Sequence, residues 1–277
     1  NYGKLTASET PFDWKTTYSS MTLEEKLGQL FFINSKIAPS KNERETLLSS
    51  FQNESLSGVV FANEEELLQQ LYFSNHLQQH SKFPLLVLQH IIANKKPNKK
   101  NKFTFPSEEL LLSLPSPRLI FNLGQEIGRQ GNLTGIHLQI LPSSNSDAFT
   151  FLRQGINSTD NKVLSYYNPL LNNLNSSQDS LGVIYKELPS SSQINDKAIN
   201  FLEIQDSTSL TFDNVLESLN TGIDAFILSE SPKALITSLT KILERKPITR
   251  QLVEKKIERI ISLKEMFIEE SPSLLFE

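Results

Sequence analysis

The chain has 277 residues, with 27 Lys and Arg against 31 Asp and Glu and a pI near 5.7, so it lacks the basic surplus that nucleic-acid binding calls for. Cysteine is absent, which excludes a disulfide framework and a thiolate zinc site. No run of about 18 apolar residues occurs, so no stretch is suited to cross a membrane as a helix. The length fits one large α/β barrel or two smaller domains.

Residues 1–20 carry Pro11, Phe12 and Trp14 and read as an arm packed on the body. A helix start follows: Thr22 and Glu25 have capping-box spacing, with Leu23, Leu27 and Leu30 on one face. Leu30 to Ile33 reads as a first strand, residues 42–50 as a helix, and Gly58 to Asn63 as a second strand. A long helix over 64–79 leads to a third strand over 83–88, which runs on to His90. Asn94 to Lys102 (NKKPNKKNK) is a solvated loop. Ser116 and Pro117 form an N-cap and N1 pair for a helix running to about Gln130. Gly135 to Pro142 alternates as a fourth strand. Residues 160–174 are predicted helical. Leu181 to Tyr185 is a short apolar run between polar loops, a buried fifth strand ending at Lys186, Glu187 and Pro189. Residues 198–204 and 220–228 supply further strands, with helices from Ser231-Pro232 and over 249–267. This alternation predicts an α/β fold with a parallel sheet. Between Tyr185 and Ala198 the chain is short for a parallel crossover, so one β/α unit is expected to be deleted or reduced, leaving a gapped or imperfectly closed barrel.

Several of these segments carry a resemblance. Met21-Thr22 through Leu30 is similar to the M-T-x-E-E-K-x-G-Q-L opening of family 3 glycoside hydrolases, of the β-N-acetylglucosaminidase type. Gly182-Val183, Lys186 and Pro189 resemble that family's G-V-x-x-x-K-H-F-P-G-H-G segment. Asn220 to Leu228 resembles its last strand, and residues 252–264 its closing helix. The resemblance covers about 21–266 and implies a TIM-type (β/α)8-like barrel, lacking or distorting one β/α unit after strand five. The expected domains are an arm over 1–20, the barrel over 21–268 and a tail or linker start over 269–277.

The same alignment marks the expected site. Glu203, in Phe201-Leu202-Glu203-Ile204, stands where the family has its nucleophilic Asp, with Asp206 three residues on. Lys186 matches the family's sugar-binding lysine. Glu187 and Ser191 replace the two histidines of the loop, the second of which is the family's acid/base. His90 and Asn145 replace sugar-binding carboxylates, and Arg153 is a lone arginine in a stretch where the family's R-S-F-G is not recognisable. The candidates are therefore Glu203 and Glu187 for catalysis, and Lys186, Asp206, His90 and Asn145 for substrate. A serine hydroxyl is far too weak an acid to replace the histidine. The bland alternative pairs Glu203 with Lys186 as an ion pair. The scaffold segments keep the family pattern while the strand ends depart from it, so the expectation is a catalytically inactive or strongly impaired domain with a structural or carbohydrate-binding role. The alternative is a residual β-N-acetylglucosaminidase-type retaining glycosidase. Expected partners are an amino-sugar glycan or a neighbouring protein domain. No metal or organic cofactor is indicated: the four His (76, 80, 90, 137) lack a ligand pattern. The resemblance and the first residue, Asn, lead us to expect a removed leader and a periplasmic or other extracytoplasmic location.

Overall fold

The computed structural model describes residues 12–36, 40–61, 67–91, 108–141, 146–166, 181–205 and 210–268. Eight parallel strands close into a barrel in chain order: β1 (Phe31–Ser35), β2 (Gly58–Phe61), β3 (Leu86–His90), β4 (Leu138–Leu141), β5 (Lys162–Tyr166), β6 (Gly182–Tyr185), β7 (Ile199–Ile204) and β8 (Ala225–Leu228). β8 pairs back onto β1, Phe226 with Phe31 and Ile227 with Phe32. The helices are α1 (Trp14–Ser20), α2 (Leu23–Gly28), α3 (Lys41–Glu54), α4 (Leu67–His80), α5 (Glu108–Ser113), α6 (Pro117–Leu133), α7 (Asp147–Asn157), α8 (Phe212–Thr221), α9 (Lys233–Leu243) and α10 (Pro247–Glu265). Local chemistry starts them as expected. Thr22 and Glu25 form a reciprocal capping box on α2, and Ser116 caps α6 with Pro117 at its start.

Two expectations are corrected. Residues 160–174 do not open a helix: Lys162–Tyr166 is β5, hydrogen-bonded between β4 and β6. The Leu181–Tyr185 stretch is therefore the sixth strand, and the barrel is closed rather than gapped. The shortened unit is real, but it is the crossover from β6 to β7 that is reduced. Residues 186–198 carry a single 3-10 turn, Ser191–Gln193, where a crossover usually has an α-helix. That turn is tied down by Tyr185, whose hydroxyl donates to Gln193 O at 2.9 Å.

Outside the strands, α6 and α7 touch backbone to backbone. A Cβ on Gly124 would sit 2.3 Å from Leu152 O, and one on Gly155 would sit 2.1 Å from Phe121 O. Helix axes come this close only where glycine removes the side chain.

Several buried polar residues cluster at the amino-terminal end of the barrel. Asp224, fully buried ahead of β8, accepts the Asn200 N–H at 2.9 Å and pairs with Lys256 (3.0 Å) and Arg259 (3.1 Å) of α10. Lys264, also fully buried, donates to Gln29 Oε1 (2.6 Å) and Pro84 O (2.9 Å) and faces the Trp14 ring at 5.1 Å. Burial holds its amine well below the usual lysine range. Nearby, His137 accepts the Val87 N–H on Nδ1 at 2.9 Å. Burial, and then the Lys264 charge, push it down to about 4. In barrels of this kind polar order at this end serves stability, while the opposite, carboxyl-terminal end is where ligands meet the fold.

Candidate active site

The interior of the barrel fixes which residues face its mouth. Successive strand residues point to opposite sides, so Phe32 and Asn34 share a face, as do Phe201 and Glu203. β1 and β7 are separated by β8, so their side chains meet only across the interior. The Phe32 and Phe201 rings do so, edge to face at 5.3 Å. Space for the Phe32 ring comes from Gly58 of β2, where a Cβ would lie 2.8 Å from that ring and 2.2 Å from Leu86 O. The two aromatics form a dry floor. One step further toward the carboxyl-terminal end, Asn34 Nδ2 donates to Glu203 Oε1 at 3.2 Å.

The register carries this face onward. Asn34 pairs with Val60 and Val60 with Leu88, which places His90, two residues beyond Leu88, at the same mouth. His90 is largely buried, and burial holds its imidazole below the usual value. Glu203 pulls that value up and Lys186 pushes it down, so both lie within electrostatic reach of His90. Lys186 follows Tyr185 at the end of β6 and is exposed.

The structure thus brings together three of the residues expected from sequence: His90, Lys186 and Glu203. Glu187 is exposed in the turn after β6, one residue beyond Lys186. Ser191, at the position of the family's acid/base histidine, is exposed in the 3-10 turn. Arg153 lies in α7, buried, with Nη2 donating to Thr150 Oγ1 at 3.3 Å. Asn145 and Asp206 lie outside the described residues. Asn34 was missed by the sequence reading. Its place on a strand end is visible in the sequence, where Phe32 and Asn34 alternate with Phe31 and Ile33, but its partner across the barrel is not.

Among the described residues no group of three His, Asp or Glu side chains is arranged to hold a metal ion. The His76 and His80 rings are 4.3 Å apart, and His80 Nδ1 is engaged with His76 O at 2.8 Å. No described helix is long and apolar enough to cross a membrane. Chemically, the mouth offers one carboxylate with an amide donor fixed on it, an imidazole held toward its neutral form and an ammonium at the rim. Such a set can accept hydroxyl hydrogens and donate to ring or acetyl oxygens.

No protein-family model and no curated protein sequence matches the chain. Solved structures match it through their fold. A β-N-acetylhexosaminidase from Beutenbergia cavernae DSM 12333 superposes with TM-score 0.66 at 12% identity, covering 89% of this chain and 99% of that one. The β-glucoside phosphorylase BglX superposes with TM-score 0.67 at 12% identity, covering 92% of this chain and 60% of its own. A β-N-acetylglucosaminidase from Thermotoga maritima gives TM-score 0.58 at 13% identity, over 85% of this chain and 67% of that one. At these identities the likeness is one of architecture: the chain folds as a closed (β/α)8 barrel of the kind those glycoside-acting proteins carry.

Proposed function

We propose that this barrel is a family 3 glycoside hydrolase-like domain that has lost nearly all hydrolytic activity and uses its mouth to hold carbohydrate. Amino-sugar glycans are the class to test first, and the setting proposed is an extracytoplasmic or multidomain protein. The observation that carries the reading is the pairing at the mouth. Glu203 accepts a hydrogen bond from Asn34 and acts electrostatically on His90, while the loop after β6, aligned by sequence with the family's acid/base segment, presents exposed serines. Retaining hydrolysis needs a nucleophile and a second group able to protonate the leaving oxygen. The first has a candidate here in Glu203. Among the described residues, the reduced β6–β7 crossover supplies no group of the second kind at its tip. Binding makes no such demand, since a sugar needs only oriented donors and acceptors over an apolar floor.

The test is a titration of the folded protein with N-acetylglucosamine and its β-linked di- and trisaccharides, followed by calorimetry and ligand-observed NMR. The reading expects saturable binding that weakens by about tenfold in Glu203→Gln or Lys186→Ala, the loss of roughly one charged hydrogen bond. Absence of binding to every one of these sugars would remove the carbohydrate role and leave a scaffold.

A further inference from the structure

We infer that Asn34 is the positioning residue of this mouth: its side-chain amide sets the direction in which Glu203 meets a ligand. The inference rests on the binding role proposed above and assigns the part played by a residue on a different strand. Three observations support it. The Asn34–Glu203 bond spans β8, so it fixes a carboxylate from two strands away and not from its own neighbour. It stands directly on the Phe32–Phe201 ring pair, and those rings are fully buried, so the backbone beneath both residues is held by close packing. Lastly, Asn34 and Glu203 are themselves only half-buried, which places the bond at the boundary between the dry interior and the open mouth. An amide there is a donor that never ionises. It engages one carboxylate oxygen whatever the pH, and orients the other by the planarity of the group.

The identity of residue 34 therefore decides what kind of site this is. A carboxylate in its place would put two acidic groups within hydrogen-bond distance, and two such groups share a proton because they cannot both ionise easily. Among the described residues, Glu203 and Lys186, which follows β6, both act electrostatically on His90 of β3. Burial holds His90 below its ordinary value, which favours its neutral form across the range of the titration.

The probe is β-linked di-N-acetylglucosamine, titrated between pH 6.5 and 8.5 into wild type, Asn34→Ala, Asn34→Asp and the double variant Asn34→Asp/Glu203→Gln. Wild-type affinity is expected to be flat across this range. Asn34→Ala weakens binding about tenfold with a thermal midpoint close to wild type, because the residue lies above the core. Asn34→Asp binds well at the acid end and progressively worse toward pH 8.5, as the second proton leaves and the two carboxylates repel. The double variant is flat again. Wild-type affinity in Asn34→Ala, or a pH dependence that survives in the double variant, overturns the inference. Should wild type bind no sugar at all, the binding role fails and the positioning is read without a ligand, from the carboxyl-carbon NMR titration of Glu203. Asn34→Asp is then expected to raise its midpoint by about one pH unit or more, and an unchanged midpoint overturns the inference.

Discussion

Lowering the pH from 7 to 4 forces a proton onto a histidine that the fold needs neutral. His137 Nδ1 accepts the Val87 N–H at 2.9 Å, and the His137 N–H donates back to Val87 O at 2.9 Å. This reciprocal pair fixes the start of β4 against β3. A proton on Nδ1 removes the acceptor and places a cation close to the Lys264 amine in a buried setting. Burial, with the Lys264 charge second, lowers His137 from 6.5 to about 4. The native state thus binds fewer protons than the unfolded chain between those two values, so stability rises with pH across that window. It is fully present above about 6.5 and lost as the pH falls through about 4. The interval corresponds to about 3 kcal/mol, an upper figure because His137 is only partly shielded from solvent. The assay is urea unfolding at half-unit steps from pH 7.5 to 4, on wild type and on His137→Asn. The asparagine side chain keeps an acceptor for Val87 and has no proton to take up. The expected result is a wild-type stability that falls about 2–3 kcal/mol further than the variant's. Parallel curves would refute the reasoning.

Three other perturbations follow from the fold. Asp224→Asn keeps the acceptor for Asn200 but leaves Lys256 and Arg259 without their shared anion; since both cations reach some solvent, the cost is about 3 kcal/mol in urea unfolding, and a loss under 1 kcal/mol would show the cluster to be inert. Gly155→Ala drives a methyl against Phe121 O and parts α6 from α7, lowering stability by about 2 kcal/mol with a fall of several degrees in Tm; an unchanged Tm would mean the helix contact is loose. Lys264 is depressed by burial, so in the alkaline range the unfolded chain holds a proton that the native state lacks; wild-type stability should gain on that of Lys264→Met as the pH rises from 7 toward 10, and a constant difference would place the amine in an ordinary environment.

The scaffold was legible because its signals are local. The Thr22–Glu25 box, the Ser116-Pro117 start and the apolar runs of β2, β3, β6 and β8 each specify their element without help from the rest of the chain. β5 was not legible, because its pattern is broken by the jobs its polar residues do. Lys162 points its ammonium at Asn157 O, the last carbonyl of α7, and at Thr159 O in the turn after it, and Ser165 is buried. That leaves Val163, Leu164 and Tyr166, with no clean alternation to mark a strand. What makes the segment a strand is the pair of neighbours, β4 and β6, a tertiary effect that outweighs propensity. The expected gap came from the short connection after Tyr185; that connection is short, yet its 3-10 turn still carries the chain to β7, and with β5 in place the barrel closes. At the mouth, sequence named Glu203, Lys186 and His90 as candidates by position in a motif, and the structure sets Glu203 and Lys186 within electrostatic reach of His90. It could not show Asn34, whose role depends on β1 and β7 facing each other across the interior.

The central claim is that the mouth holds sugar without cleaving it. The most direct test is hydrolysis of a chromogenic β-N-acetylglucosaminide at high protein concentration, run beside Glu203→Gln. The account predicts no release above the rate of the variant. Turnover that is clear in wild type and vanishes in Glu203→Gln would contradict it, and would make Glu203 the nucleophile of a working glycosidase.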